Sequence, residues 1–446
     1  MFYRKIIDLL NKWSKEQDRK PLILRGARQV GKTTAVHMFS KSFDQYIYLN
    51  LETHRDREIF LHKLSIDDLV QAIFLHANIS DTKGKILIFI DEIQHSPEAV
   101  AIMRYFYETK KHLYVIGAGS LLETMIGNNQ ISFPVGRVQY LFMYPLTFEE
   151  FLIAMKEKQA LKFYNTLPLP SFAHDKLLKL FHTYTLIGGM PEIVKNYASH
   201  LDMVQLKQIY QSLQTSFIDD VSKYARNHTM IETITHAIES SPFEAGKRIK
   251  FQCFGNSNYR SREMGEALRM IERAMLIFLL YPSTATQIPI MPDTKKSPRL
   301  QFIDTGFLNY IVGLQGHYYQ HSDLHSFYQG TIAEHIVGQE LMASDMTSSK
   351  KLSFWVRDKK QSVAEVDFLI SYQQYIIPIE VKAGKTGTLR SLHQFLDASN
   401  NTFAVRLYAG DINISDATTL SGKKYRLLNL PYFLTGNIEQ YVDLYL

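Results

Sequence analysis

The sequence predicts an α/β fold: a parallel sheet built around a phosphate-binding loop, then a helical stretch, then a second α/β unit at the carboxyl end. Three observations carry this. Lys85-Ile86-Leu87-Ile88-Phe89-Ile90-Asp91-Glu92 and Leu113-Tyr114-Val115-Ile116-Gly117-Ala118-Gly119-Ser120 are nearly unbroken apolar runs ending in polar residues, as strands buried on both faces of a parallel sheet read. Pro21-Leu22-Ile23-Leu24 is another apolar run, and it enters a Gly-x-x-x-x-Gly-Lys-Thr turn. Near the carboxyl end, Glu365-Val366-Asp367-Phe368 and Ile379-Glu380-Val381-Lys382 alternate apolar and charged residues with the period of a strand.

Residues 3–18 place Tyr3, Ile6, Ile7, Leu10 and Trp13 at helical spacing, a lead-in helix beside the first strand. The turn after that strand is Gly26-Ala27-Arg28-Gln29-Val30-Gly31-Lys32-Thr33-Thr34. Gly26 and Gly31 let the backbone curl so that its N–H groups point at phosphate oxygens. The helix that follows, from Ala35, adds its amino-terminal dipole. Lys32 then reaches the β- and γ-phosphates, and the Thr33 hydroxyl sits on Mg²⁺. The bland alternative is a solvated Gly-Lys turn. The strand–loop–helix context favours a nucleoside triphosphate, so ATP and Mg²⁺ are the expected cofactors.

At 446 residues the chain is too long for one ordinary core, and two to four domains are expected. Hydrophobic content of 46% and charged content of 21% are those of a folded soluble protein and exclude wholesale disorder. A formal net charge of +6 permits a polyanionic partner, and clustering of the positive residues decides whether there is one. The single cysteine, Cys253, excludes an internal disulfide framework and a Cys-based zinc site, and suits a cytoplasmic location. The amino terminus carries charges too early for a secretory signal. The longest apolar stretches, such as Met275 to Tyr281, fall far short of a bilayer span, so no membrane is expected.

Gln45 to Leu51 reads as a second strand, and residues 65–79 as a helix. Asp91 and Glu92 fall at the carboxyl edge, where open α/β sheets place their ligands. Asp91 would hold Mg²⁺ through water and Glu92 would polarise the attacking water; the alternative is a strand capped by solvated acids. After a helix near Glu98 to Lys110, Ser120 closes the next strand. Its hydroxyl is a candidate sensor of the γ-phosphate or attacking water, or else a helix cap before Leu121-Leu122-Glu123. Arg137, in Phe133-Pro134-Val135-Gly136-Arg137-Val138, is a candidate to reach a γ-phosphate in its own subunit, or in a neighbour's within a homo-oligomer. A surface arginine is the commoner outcome.

The phosphate loop Arg25 to Thr34, the Ile90-Asp91-Glu92-Ile93-Gln94 end, Gly119-Ser120-Leu121-Leu122-Glu123 and Pro145-Leu146-Thr147-Phe148-Glu149-Glu150-Phe151 together resemble one prokaryotic group. These are AAA-type P-loop ATPases, related to the archaeal-ATPase and STAND branches, with a long carboxyl-terminal region once filed as a domain of unknown function. The resemblance implies a five-stranded parallel sheet in the order 5-1-4-3-2 with a helical lid.

Residues 160–245 are dominated by helical spacing, with Leu177, Leu180, Phe181, Tyr184 and Leu186 before a break at Gly188-Gly189-Met190-Pro191. They read as lid and connector. Helices over Ile231–Glu239 and Ser261–Ala274, a strand over Met275–Tyr281 and a turn at Pro282-Ser283 follow winged-helix order. In the second helix Met264, Leu268 and Ile271 share a face while Arg262, Arg269 and Arg273 turn outward. With Lys247, Arg248, Lys250 and Arg260 they form the basic cluster a groove-reading helix needs for phosphates. A solvated face on a structural winged helix fits equally.

Gly330 to Leu341 reads as a helix with Ile332 and Ile336 inward and Glu334 as an acid on it. Val366 and Phe368 are expected on one strand face and Asp367 on the other. After the turn at Tyr372-Gln373-Gln374, Ile379 and Val381 point one way, Glu380 and Lys382 the other. Asp, a short hairpin and Glu-x-Lys is the arrangement of PD-(D/E)XK nucleases. There Asp367 and Glu380 would hold Mg²⁺, Lys382 would orient or activate water, and Glu334 matches the helical acid. Such domains also persist as binding modules.

The expected architecture is an AAA-type P-loop ATPase core (1–160), a helical lid and connector (161–230), a winged helix (231–300) and a restriction-endonuclease-like domain (301–446). The expected function is ATP hydrolysis controlling engagement of a nucleic acid, DNA first, with Mg²⁺-dependent cleavage as a further activity. The alternative is a STAND-like switch that binds a protein partner and whose nuclease-like domain is inactive.

Overall fold

The side chains of Ile86–Asp91 alternate between two cores, which is why all 6 positions are buried. Leu87 and Phe89 pack with Ile6, Leu10, Trp13, Val36 and Phe39. Ile86, Ile88 and Ile90 pack with Leu69, Ile73, Val100 and Met103 on the opposite face. The computed structural model describes residues 2–62, 64–79, 84–120, 134, 136–223, 225–315, 330–348, 351–357, 364–384 and 388–446. Leu121, Leu122, Glu123, Phe133 and Val135 of the motifs above lie outside the described residues.

Strands β1 (Leu22–Arg25), β2 (Gln45–Asn50), β3 (Ile86–Asp91), β4 (Tyr114–Gly119) and β5 (Gln139–Phe142) form a 5-stranded sheet in the order β5-β1-β4-β3-β2. Every pairing is parallel, and the order is the one the resemblance implies. The flanking helices begin where capping chemistry allows. Ser65 accepts from the Asp68 N–H ahead of Ile66–His76, and Ser96 from the Ala99 N–H ahead of Pro97–Thr109, with Pro97 in the first turn. The lead-in helix is Ile6–Ser14, and the Trp13 indole N–H donates to the Lys20 carbonyl at 2.8 Å.

Helices Phe148–Ala154, Lys158–Tyr164, His174–Ile187, Pro191–His200 and Leu206–Ser222 follow. The Gly188-Gly189 break is required by packing. Gly188 has φ +73, and a Cβ on Gly189 would meet the Leu146 carbonyl oxygen at 2.2 Å. Gly189 donates its N–H to Asp304 and accepts from the Leu146 N–H at 2.7 Å. Burial pushes the Asp304 carboxyl up to about 6.

His228–Glu244 and Ser261–Arg273 pack together, and β6 (Ile277–Leu280) pairs antiparallel with β8 (Arg299–Phe302). Met264, Leu268 and Ile271 are buried, Arg262 and Arg269 exposed and Arg273 half-buried. The expected turn at Pro282-Ser283 is instead a short strand, β7 (Pro282–Ser283). It does not fold back on β6, because its ladder partner is the edge of the second sheet, where Ser283 is fully buried. The division expected at 300/301 falls inside β8.

The second sheet contains β9 (Ser353–Val356), β10 (Glu365–Tyr372), β11 (Tyr375–Val381), β12 (Phe403–Tyr408), β13 (Asn413–Thr418) and β14 (Lys424–Pro431). Its order is β13-β14-β12-β11-β10-β9-β7, with the β10–β11 hairpin antiparallel and β11–β12–β14 parallel. The hairpin turns through Gln373 at φ 48. Val366 and Phe368 do not share a face as expected. A register shift between Val366 and Leu369 sends Val366 into the cluster of Trp355 and Phe395, while Phe368 joins Ile379 and Val381 in the main core.

Helix Gly330–Ser344 docks this sheet on the amino-terminal half. Its fully buried Glu340 accepts from the Phe148 N–H at 3.0 Å and the Tyr184 hydroxyl at 2.7 Å, and burial pushes its carboxyl up to about 7. Among the described residues no helix is long and apolar enough to cross a membrane.

Candidate functional site

At Gly26, directly after β1, a Cβ would meet the Met143 carbonyl oxygen at 2.4 Å, so only glycine fits. Gln29 (φ 63) and Gly31 (φ 96) are left-handed, which turns successive N–H groups inward as an anion cradle, and helix Lys32–Phe39 starts at once. Arg4 fixes the loop from behind. Its guanidinium donates to the carbonyls of Val30 and Tyr144, both at 2.8 Å, and pairs with the buried Glu150 at 2.9 Å.

Lys32 is buried, with Nζ donating to the Gly26 and Ala27 carbonyls at 2.9 Å each. Burial lowers its pKa, while Glu92 and Asp91 oppose that shift. The Thr33 hydroxyl donates to Asp91 Oδ2 at 2.7 Å, and the Tyr48 hydroxyl reaches the same oxygen at 3.3 Å. Glu92 takes a left-handed backbone (φ 50) at the end of β3 and accepts from the Gln94 amide at 2.5 Å. Burial raises its carboxyl, and Lys32 pulls it down. A cavity of about 540 Å³ is lined by Arg28, Gln29, Lys32, Thr33, Thr34 and Glu92. The paired hydroxyl and carboxylate oxygens of Thr33 and Asp91 suit Mg²⁺, a hard cation, beside a triphosphate.

Ser120 ends β4, and its hydroxyl donates to Asp220 Oδ2 at 3.2 Å. Arg28 donates to the other oxygen, Oδ1, at 2.7 Å. Sequence reasoning missed Asp220. The available signal was an acid interrupting the apolar stripe Tyr210, Leu213, Phe217 and Val221 of helix Leu206–Ser222. Arg137 is a correction. Gln139, two residues on, pairs with Leu22, whereas the phosphate loop leaves from Arg25 opposite Phe142. Arg137 therefore stands at the amino edge of the sheet, bonded to Glu108 at 3.0 Å, and reaches no γ-phosphate of its own subunit.

The fold does bring Glu334, Asp367, Glu380 and Lys382 together, and it adds Arg299, which the sequence reading left out, and Arg248, which that reading placed in the basic cluster. Arg299 of β8 lies 3.6 Å from Glu334, 3.3 Å from Glu365 and 4.0 Å from Asp367. Arg248 holds Glu365 from outside at 2.9 Å. Lys382 bonds Glu380 Oε1 at 2.6 Å, and the Val381 N–H donates to Asp367 Oδ2 at 2.8 Å. Burial, then the Asp367 charge, pushes Glu334 up to about 8 and Glu380 up to about 7. Burial also raises Asp367. Lys382 is raised despite burial, through Glu380.

Among the described residues no three His, Cys, Asp or Glu are arranged to hold a metal ion. At the expected Mg²⁺ pair, Asp367 and Glu380, positive charge comes in this structure from Arg299, 4.0 Å from Asp367, and from Lys382, 2.6 Å from Glu380. Glu380 Oε2 is nonetheless buried without a hydrogen-bond partner. A trace of Arg299 was legible in the alternation Arg299-Leu300-Gln301-Phe302, which turns Arg299 and Gln301 to one side.

Residues 18–152 match the family model of the AAA domain. This stretch is similar to AAA-type P-loop domains. Residues 178–318 match a domain of unknown function (DUF8612), and residues 329–428 another (DUF4143). Among solved structures the chain is similar to the Walker-type ATPase paby2304 of Pyrococcus abyssi, at 13% identity over 70% of this chain and 96% of that one, with a TM-score of 0.46. It is similar to the RuvB Holliday junction branch migration motor of Thermotoga maritima at 14% identity, over 62% of this chain and 90% of that one, with a TM-score of 0.27. It is also similar to the ORC2 protein of Aeropyrum pernix at 10% identity, over 71% and 93% of the two chains, with a TM-score of 0.27. No curated protein matches. The AAA domain holds the phosphate loop, the β3 acids and Ser120. Asp220, which closes on it, and Arg299 both come from the stretch matched at 178–318.

Proposed function

We propose that this chain binds and hydrolyses ATP with Mg²⁺ and couples its nucleotide state to engagement of a nucleic acid, DNA being the expected polymer. The observation that carries the first half is the convergence of Lys32, Thr33 and Glu92 on one cavity of about 540 Å³, with Asp91 bonded to the Thr33 hydroxyl beside it. In that setting Lys32 binds the β- and γ-phosphates. Asp91 and Thr33 hold the cation, and Glu92 orients and deprotonates the attacking water. The second half rests on the exposed arginines of Ser261–Arg273, whose opposite face is buried against His228–Glu244. The proposed division keeps an ATPase core over 1–160, a lid and connector over 161–230, a winged helix from 231 and a nuclease-like domain to 446, with the boundary expected at 300/301 moved out of β8, whose partner is β6.

Phosphate neutralisation by that basic face makes DNA affinity fall steeply with salt. Replacing Arg262, Arg269 and Arg273 together by Ala should flatten the slope of log affinity against log salt by about 2 to 3, near one unit per lost contact. Unchanged binding would place the contact surface elsewhere and leave this unit structural.

Cleavage is the second reading, favoured by the gathering of Glu334, Asp367, Glu380 and Lys382 and by the orphaned Glu380 Oε2. An end-labelled DNA assay with Mg²⁺ or Mn²⁺, with and without ATP, tests it. Cutting should disappear in Asp367→Ala and in Lys382→Ala. Cutting that survives both is contamination, and no cutting by the parent makes the acid cluster a binding or structural feature.

A further inference from the structure

We infer that Asp220 is the residue through which the lid senses the terminal phosphate of the bound nucleotide: its carboxylate occupies the two donors, Arg28 and Ser120, that this phosphate would take. The inference rests on the ATP reading above and deepens it.

Both oxygens of Asp220 are engaged, one by the Arg28 guanidinium at 2.7 Å and one by the Ser120 hydroxyl at 3.2 Å, and its side chain is only 8% exposed. The two donors come from different elements of the amino-terminal sheet unit. Arg28 belongs to the phosphate loop and lines the cavity. Ser120 ends β4, beside the strand that delivers Asp91 and Glu92. Asp220 belongs to neither. It sits near the end of Leu206–Ser222, the last helix before the basic-faced pair, and joins that helix to the AAA domain.

The charges around Arg28 identify the spot. The carboxylates acting on it are Asp220, Glu92 and Glu52, and Lys32 feels Glu92, Asp91 and Asp220 in turn. Asp220 therefore lies in the same field as the lysine that reaches the terminal phosphates and the acid that activates water. A third phosphate brings further negative charge into that field. A serine hydroxyl has one proton to donate, and the Arg28 N–H groups aimed at Asp220 cannot at the same time be aimed at a phosphate, so a phosphate that takes these donors competes with Asp220. The triphosphate consequently draws Arg28 and Ser120 from Asp220 and releases the end of Leu206–Ser222. A diphosphate lacks the competing group and leaves the helix docked. A ligand shifts such an equilibrium only through its different interactions with the two arrangements, and the γ-phosphate is that difference here.

The test is equilibrium binding of a non-hydrolysable ATP analogue and of ADP, both with Mg²⁺, to the parent, Asp220→Asn and Asp220→Glu. Losing the competing charge should tighten triphosphate binding by about tenfold, the worth of one charge-assisted hydrogen bond. ADP binding should stay within about twofold, since ADP does not compete for these donors. Asp220→Glu should restore the parental ratio. Amide exchange over residues 206–222 of the parent, which needs no variant, should be faster with the analogue than with ADP.

Equal changes for both nucleotides in Asp220→Asn, weaker triphosphate binding, or nucleotide-independent exchange would overturn the inference. If the parent binds both nucleotides and loses them on Lys32→Ala, those results sink the role of Asp220 alone. If the parent binds neither, the ATP reading falls with it.

Discussion

Glu92→Gln should bind ATP as tightly as the parent and hydrolyse it about 10² to 10⁴ times more slowly, the usual loss when a positioned general base is removed. The substitution keeps the size of the side chain and leaves the phosphate cradle, Lys32 and the Thr33–Asp91 pair untouched. Only the proton acceptor is lost. Burial raises the Glu92 carboxyl, so turnover should fall as pH drops through its folded value, and this limb of the profile should vanish in the variant. Lys32→Ala has the opposite signature. Removing its ammonium takes away charge-assisted bonds to phosphate worth about 1.5–3 kcal/mol each, so ATP binding weakens by one to several orders of magnitude. Single-turnover hydrolysis alongside a binding titration separates the two. Parental turnover in Glu92→Gln would remove Glu92 from the water-activating role.

Arg299→Met should destabilise the protein by about 3–5 kcal/mol near pH 8, the range for stripping one partner from a buried ion pair. Arg299 is 6% exposed and is the guanidinium set among Glu334, Glu365 and Asp367. The loss should shrink sharply near pH 5. An unfolded glutamate releases its proton near 4.5, whereas folded Glu334 keeps it until about 8. Between these values the folded chain binds more protons, so its stability falls as pH rises through that window. Without Arg299 the acids cling harder to their protons, and the fall becomes steeper and extends further up. Thermal unfolding of parent and variant at pH 5, 7 and 8.5 reads this directly. An equal loss at every pH would mean that Arg299 acts through packing on Phe354, whose ring centre lies 4.6 Å from its guanidinium carbon.

What was legible in the sequence was local. The Gly26–Thr34 turn and the Asp91-Glu92 pair each specify backbone and chemistry within a few residues, and the structure places them at one carboxyl edge. Glu380 and Lys382 do lie together, because a strand fixes which residues share a side over so short a span. The misses come from contacts between distant segments or from irregular backbone. Asp220 meets Arg28 across 192 positions, and Arg4 meets Glu150 across 146. Nothing in either local pattern names its partner. The shift between Val366 and Leu369 broke the two-residue alternation from which the faces of β10 were read. Pro282-Ser283 carried a turn composition but lies in a ladder with β9, and Arg137 stands at the edge of the sheet away from its own subunit's phosphate loop.

Under the proposed function, the nucleotide at Lys32 changes how the basic face of Ser261–Arg273 meets DNA. The most direct measurement is the affinity of the full chain for one duplex at fixed salt, with a non-hydrolysable ATP analogue, with ADP and with neither. The two nucleotide states should differ by roughly 5- to 150-fold, the span of ordinary allosteric coupling, and Lys32→Ala should abolish the difference. Equal DNA affinity in all three conditions would contradict it. ATP turnover that responds only to a protein from the same cell, and not to DNA, would favour the nucleotide-gated protein switch instead.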